Sequence, residues 1–286
     1  MLDRRLIIVS GKGGVGKSAV SVALAIRAQR TGKRVLVAAM LEPTGAAIHL
    51  GADTLAYLPT HFDNGVDAMV VERAAALEEY LRVQLRVPAV GPTKTLSRAM
   101  QVLVDTAPGV REVISMGKPI FDTWQGQYDT VIVDAPPLGQ LMSYLRAPAV
   151  VAGLVPTGGI KEQAGRMADA LADVDTSALV LVTTPEELPA TETAQALDEL
   201  RTENLIELGA VMANRVIPPL DLDRTSVAGL GDGPGRDAVL HHLALWESQQ
   251  AALNPLPVDI ELPYLFGVHT PSEVAAQLAD CLEDAK

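Results

Sequence analysis

The segment from Ser10 to Ala19 reads SGKGGVGKSA and constrains the fold more than any other part of the chain. It contains the pattern G-x-x-x-x-G-K-[ST], in which successive backbone N–H groups surround phosphate oxygens. The apolar run RRLIIVS precedes it, and a segment with helical spacing, KSAVSVALAIRAQRTG, follows. A strand, a glycine loop and a helix in that order are the context that this pattern requires. We therefore predict a nucleotide-binding loop; the alternative is a glycine-rich turn that only packs backbone.

The rest of the chain alternates apolar runs with helical segments. Further strands are predicted at KRVLVAAM, VDAMVVE, YDTVIVDAPP, TSALVLVTTPEEL, LGAVMANRV and PVDIELP. This alternation predicts an α/β fold with a doubly wound, mostly parallel sheet flanked by helices. No internal repeat or clear linker divides the sequence, so we predict one domain over 1–286, within which 74–124 could form a helical subdomain.

Charge and cysteine content narrow the possible functions. The formal net charge of −12 disfavours non-specific binding to nucleic acid, which depends on cations that face phosphates. The single cysteine, Cys281, allows no intrachain disulfide and favours a reducing compartment. No apolar run approaches the roughly 20 residues of a membrane span. We expect a cytoplasmic protein without an integral membrane segment.

Within the glycine loop and beside it, several residues have predicted roles. Lys17 is expected to reach the outer phosphates, and Ser18 is expected to hold Mg²⁺. Asp134 ends the run VIVD, where a carboxylate in this class of protein faces Mg²⁺ or its waters; capping of a helix that starts near Pro137 is the alternative. The backbone contacts to nucleotide are predicted for Gly11, Gly13, Gly14, Val15, Gly16, Lys17, Ser18 and Ala19.

Three more residues follow predicted strands. Glu42 could position or deprotonate the water that attacks the γ-phosphorus, and a solvated loop glutamate is the alternative. Gly139 would let the backbone approach the γ-phosphate. Asn214 ends AVMAN, and its planar amide offers a donor and an acceptor suited to an adenine edge; a turn-forming role is the alternative. The predicted cofactors are ATP and Mg²⁺.

Lys12 is a second lysine in the loop that the phosphate-binding pattern does not require. It lies between two glycines, upstream of Lys17. Because Lys17 is already expected to bind the phosphates of its own site, we predict that Lys12 points outward, towards a nucleotide on a facing subunit. There it would supply positive charge where negative charge develops during phosphoryl transfer. A solvated loop lysine is the alternative.

The loop GKGGVGKS resembles the deviant Walker A loop of the SIMIBI-class ATPases, and other segments narrow this resemblance. DAPPLGQLMSYLRAP is similar to the ArsA-type switch II, while APGVREV and TTPEELPATET are similar to two other segments of that family. The likeness extends over almost the whole chain and points to the ArsA-type ATPases, which include arsenite-pump ATPases and the ATPases for guided entry of tail-anchored proteins. It implies that Asn214 and Pro263, in ELPYL, lie near adenine and that Lys12 contacts nucleotide across a dimer.

Three departures limit what the resemblance implies. Glu42 stands in EPTGA where the family usually has an aspartate, so the side chain is one methylene longer, and the attacking water would be either misplaced or held differently. A chain with a single cysteine cannot supply the CxxC zinc clasp of the tail-anchored-protein ATPases. It also lacks the cysteines that would bind arsenic. Only the segment from Ala149 to Ser177 lies between switch II and the next strand, so a client groove would be small.

The function predicted from these observations is an Mg²⁺-dependent ATPase that forms a homodimer, or a heterodimer with an ArsA-like paralogue. Its nucleotide state would switch its conformation and its binding of a protein client. One alternative is a nucleotide-sensing, weakly active subunit paired with an active paralogue. Another is a MinD/ParA-like positioning ATPase, which the acidic C-terminal segment SEVAAQLADCLEDAK disfavours.

Overall fold

The computed structural model describes residues 2–40, 42–83, 109–222, 226–227 and 231–284. These residues contain a single eight-stranded sheet. Its strands, in chain order, are β1 (Leu6–Gly11), β2 (Val35–Ala39), β3 (Thr60–His61), β4 (Asp67–Val70), β5 (Thr130–Asp134), β6 (Ser177–Thr183), β7 (Leu208–Val216) and β8 (Ile260–Pro263).

The spatial order of the strands is β3-β4-β2-β5-β1-β6-β7-β8. All neighbouring strands run parallel except β3 and β4, which run antiparallel. This sheet confirms the predicted α/β fold. The carboxyl ends of its parallel strands form one edge, which is the edge where ligands of such sheets bind.

Helices cover both faces of the sheet and bury its alternating apolar side chains. On one face, α1 (Lys17–Arg30), α2 (Pro43–His49) and α9 (Pro271–Asp284) pack against side chains such as those of Ile7, Val9, Val37 and Val180. The opposite face packs Ile8, Val133 and Leu181 against four other helices and the end of a fifth. Those five are α4 (Val110–Gln125), α5 (Leu138–Leu154), α6 (Gly159–Ala172), α7 (Glu187–Glu203) and α8 (Pro234–Leu253). Burial on both sides explains why the central strands read as continuous apolar runs.

The region predicted as a helical subdomain holds a described helix near each end. The first is α3 (Arg73–Val83), and the second is α4; residues 84–108 lie outside the described part of the chain. Met116 and Ile120 of α4 join the core of the main sheet, whereas Leu77 of α3 belongs to a small separate cluster with Tyr80, Val110 and Ile114. The subdomain boundary and the single domain over 1–286 stay predictions.

Strand β3 is the one strand of the sheet that the apolar pattern did not predict. It has two residues, both exposed, and it pairs with β4 across the turn that contains Gly65. So short a strand has no room for a recognisable alternation of apolar and polar residues. Among the described residues, no helix combines the length and the apolar character that a membrane span needs.

Candidate nucleotide-binding site

The glycine loop connects the end of β1 to the start of α1 at the carboxyl edge of the sheet. Gly11 approaches β6 so closely that a Cβ at this position would lie 2.0 Å from the carbonyl oxygen of Val182. Gly14 and Gly16 have φ values of 87° and 93°, a left-handed conformation that side chains disfavour. Gly16 precedes α1 and provides no side-chain cap, so the N-terminal N–H groups of this 14-residue helix can serve an anion.

The side chain of Lys17 reaches back across the glycine loop. Its Nζ donates a hydrogen bond of 3.1 Å to the carbonyl oxygen of Lys12, at the other end of the loop. Burial lowers the pKa of Lys17, and the negative charges of Asp134 and Glu42 oppose that shift. The ammonium group is therefore partly desolvated beside the loop and is influenced by the charges of two carboxylates, and a bound phosphate would stabilise its charge.

Ser18 and Asp134 are in direct contact. The Ser18 hydroxyl donates a 2.6 Å hydrogen bond to Oδ2 of Asp134, at the end of β5. Burial raises the pKa of Asp134, while the Ser18 hydrogen bond and the Lys17 charge act in the opposite direction. A hydroxyl oxygen beside a carboxylate matches the oxygen ligands that Mg²⁺ takes when it also binds phosphates and water. The donor set therefore fits Mg²⁺.

Glu42 lies at the same edge, directly before α2. It is exposed, has an extended backbone, and does not cap the helix with its side chain. In α2, Gly45 packs against the site: a Cβ here would lie 2.9 Å from Oγ of Ser18. Gly45 has no predicted role, although its place in EPTGA, three residues after Glu42, is a signal that could indicate one.

Asn214, at the end of β7, contacts the glycine loop directly. Its Nδ2 donates a 2.8 Å hydrogen bond to the carbonyl oxygen of Val15. Its Oδ1 accepts a 3.0 Å hydrogen bond from the backbone N–H of Arg215. Pro263 ends the neighbouring strand β8 and pairs with Val216. The two residues predicted near adenine thus lie on adjacent strands at one edge, and their contact with the base stays a prediction.

The remaining residues with predicted nucleotide contacts differ in which of their groups could contact a ligand. Val15 and Ala19 are buried, with their side chains in the core around α1, so only their backbone could serve a nucleotide. Gly13 has open space around its Cβ position. Gly139 is exposed in the first turn of α5, and a Cβ there would also meet open space. The structure therefore gives no steric reason for glycine at 139.

Lys12 forms an ion pair with a residue of α7 in its own chain. Its Nζ lies 2.7 Å from Oε1 of Glu192, and the two side chains are 25% and 39% exposed. Glu192 belongs to the segment TTPEELPATET and has no predicted role of its own. The structure therefore adds a partly buried acidic partner at the outer lysine, and the predicted reach of Lys12 to a facing subunit stays a prediction.

Comparisons with known proteins identify the family to which this chain belongs. A family model described as an anion-transporting ATPase matches residues 4–157, which is more than half of the chain and includes the loop and Asp134. ATPase BagA of Mycobacterium tuberculosis is 32% identical over 237 residues, covering 78% of this chain and 69% of that protein. An arsenical pump-driving ATPase of Escherichia coli is 25% identical over 285 residues, covering 90% of this chain and 45% of that protein. ATPase get3 of Neurospora crassa is 30% identical over 154 residues, covering 51% of this chain and 44% of that protein. The chain therefore belongs to the ArsA family of anion-transporting ATPases.

Proposed function

We propose that this chain binds ATP with Mg²⁺ in the loop between β1 and α1 and hydrolyses it. The observation that carries the proposal is the contact of Ser18 with Asp134 beside Lys17. A hydroxyl oxygen, a carboxylate and a lysine ammonium meet there at the start of a helix. These are the groups that hold a metal-bound nucleoside triphosphate in loops of this kind.

Each group has a distinct proposed role. Lys17 and the N–H groups of the loop bind the phosphates, and Ser18 and Asp134 hold Mg²⁺. When bound, Mg²⁺ would neutralise part of the negative charge on the β- and γ-phosphates. Glu42 orients the attacking water or accepts its proton, since its charge already acts on Lys17 at the same edge. Asn214 and Pro263 are the residues proposed near the adenine side.

We further propose that the active form is a dimer in which Lys12 contacts the nucleotide of the facing protomer. Exposed apolar side chains near the carboxyl edge of the sheet support a dimer face there. Leu188 lies shortly after β6, and Tyr264, Phe266 and Val268 lie shortly after β8. A second copy of this chain, or an ArsA-like paralogue with the same face, would cover them. The nucleotide state would then control the dimer, and through it the binding of a protein client in the cytoplasm.

A nucleotide-sensing subunit with weak hydrolysis is the second candidate. It is favoured by Glu42, whose side chain is longer than the usual aspartate and is exposed in the structure. In that case the chain would bind ATP normally but would need an active paralogue for turnover.

Calorimetric titration with ATP and Mg²⁺ tests the proposal. Lys17→Ala should abolish detectable binding, because it removes the cation that balances the outer phosphates. Lys161→Ala, an exposed change of the same charge on α6, is the matched control and should bind like wild type. Affinity like that of wild type in Lys17→Ala would contradict the assignment of the loop.

A further inference from the structure

The hydroxyl group of Ser21 is buried in the protein without a completed hydrogen bond. Ser21 lies in α1 among buried alanine, valine, leucine and isoleucine residues, and it has no exposed surface. Among the described residues, no polar atom lies in hydrogen-bonding geometry with its Oγ. A buried hydroxyl without a partner costs free energy, because it gives up water and gains no bond in return. A serine at this position therefore needs a reason other than packing.

Ser21 also lacks the local hydrogen bond that is common for hydroxyl groups in helices. In α7, Thr191, Thr193 and Thr202 each donate a 2.8 Å hydrogen bond to the carbonyl oxygen four residues earlier. The Ser21 hydroxyl does not bond in this way to the carbonyl of Lys17. It is therefore not engaged by its own helix and remains available as a donor to a neighbouring group.

The neighbouring group on which Ser21 acts is the carboxylate of Asp134. Ser18 and Ser21 are three residues apart in α1, so they share one face of a helix that packs against β5. Ser18 donates its 2.6 Å hydrogen bond to Oδ2 of Asp134. Burial raises the pKa of Asp134, and the Ser18 hydroxyl, the charge of Lys17 and the Ser21 hydroxyl all act in the opposite direction. Both hydroxyls thus act on one carboxylate, and of the two it is Ser18 that completes a hydrogen bond to it.

Metal binding would change what the Ser18 hydroxyl can do for this carboxylate. In the proposed function the Ser18 oxygen is a ligand of Mg²⁺, so its position is then set by the metal as well as by Asp134. Groups that hold a metal are ordinarily oriented by a further hydrogen bond from the protein. Ser21 is a buried donor beside Asp134 with no completed bond to give up, which suits it to that task.

We propose that Ser21 is a positioning residue for Asp134: its hydroxyl donates to this carboxylate and keeps it oriented when Ser18 binds Mg²⁺. The part of the proposal that concerns the metal rests on the proposed function. The contact between Ser21 and Asp134 does not, and it can be tested without any ligand. A serine that only fills space in α1 would give neither of the results expected below.

The ligand-free test is a double-mutant cycle measured by urea unfolding. Ser18→Ala removes the partner of Asp134 and leaves Ser21 as the donor. In that background Ser21→Ala should lower the midpoint of unfolding, whereas in wild type it should not, because the hydroxyl has no completed bond to lose there. The control is Ser115→Ala, a buried serine of α4 on the other face of the sheet, and its effect should be the same in both backgrounds. Equal effects of Ser21→Ala in the two backgrounds would overturn the proposal.

The metal test uses the full chain, a non-hydrolysable ATP analogue and Mn²⁺, which prefers the same oxygen ligands as Mg²⁺ and is detected by electron paramagnetic resonance. Ser21→Ala should weaken Mn²⁺ affinity roughly 10- to 100-fold, as when a group that orients a metal ligand is lost. Its affinity for the analogue in EDTA should match wild type, because Lys17 and the loop remain.

Unchanged Mn²⁺ affinity in Ser21→Ala, or an equal loss of analogue affinity in EDTA, would contradict a role in positioning Asp134. Ser115→Ala should bind both the analogue and Mn²⁺ like wild type. If wild type binds no analogue, the proposed function fails, and the unfolding cycle alone decides whether Ser21 holds Asp134.

Discussion

The two lysines of the glycine loop have different surroundings although they belong to one short segment. Lys17 directs its ammonium group to the carbonyl of Lys12 and lies where burial lowers its pKa. Lys12 directs its own ammonium group to Glu192 on α7, at 2.7 Å. One lysine is held by its own loop, and the other is held by a helix that follows β6.

This difference follows from the position of β1 between β5 and β6. On the β5 side, Ser18 contacts Asp134. On the β6 side, the loop packs at Gly11 against Val182, and Lys12 meets Glu192. The loop thus has a side where a hydroxyl contacts a carboxylate, which is the proposed metal and phosphate side, and a side that holds a cation in an ion pair. In the proposed dimer, a phosphate of the facing protomer would compete with Glu192 for the ammonium group of Lys12, whereas the described contact of Lys17 is to a backbone carbonyl.

The largest effect in turnover is expected from Lys12→Ala. ATP binding should be retained because Lys17 and the loop amides remain, while hydrolysis should fall by about 10³–10⁵, as for other cations supplied in trans. Nucleotide-induced dimerisation should weaken as well. Single-turnover hydrolysis and sedimentation measure both quantities, with Lys161→Ala as the control. Full activity of Lys12→Ala as an isolated monomer would refute a difference in function between the two lysines.

A smaller effect is expected from Glu42→Gln, on the Lys17 side. Loss of a group that accepts or orients a proton should slow hydrolysis by about 10²–10⁴ with little change in ATP affinity. Glu72→Gln, an exposed change of the same charge beyond β4, is the matched control. Glu42→Asp should raise the rate if the longer side chain displaces the water. Hydrolysis unaffected by either substitution, alone and with a paralogue present, would remove Glu42 from the mechanism.

The smallest effect is expected from Glu192→Gln, which releases Lys12. The ion pair is partly exposed, so its loss is worth at most about 1 kcal/mol, or roughly fivefold in an equilibrium. If Glu192 competes with the facing phosphate, ATP-dependent dimerisation should occur at up to about fivefold lower protein concentration. Glu187→Gln, exposed on the same helix, is the control. Weaker dimerisation, restored by Glu192→Asp, would instead indicate that Glu192 orients Lys12 towards the partner.

Local patterns were sufficient for much of the fold. The strands β1, β2 and β4 to β8 were predicted from apolar runs, because a strand buried on both faces needs a continuous apolar segment. The order in which these strands lie side by side was not predicted. That order brings β1 between β5 and β6, which are separated from it by long stretches of chain. Apolar runs indicate burial but do not specify the neighbour.

The sequence alone determined which groups stand at the loop and at strand ends: Lys12, Lys17, Ser18, Glu42, Asp134 and Asn214. These assignments depend on short patterns, in which a few adjacent residues dictate the turn, the helix start or the end of a strand. Only the tertiary structure decided what those groups contact, which is Glu192 for Lys12, the Val15 carbonyl for Asn214 and the Asp134 carboxylate for Ser18. Each of these contacts joins distant parts of the chain across neighbouring strands. Their partners are set by the packing of the whole sheet, and no local pattern contains that information.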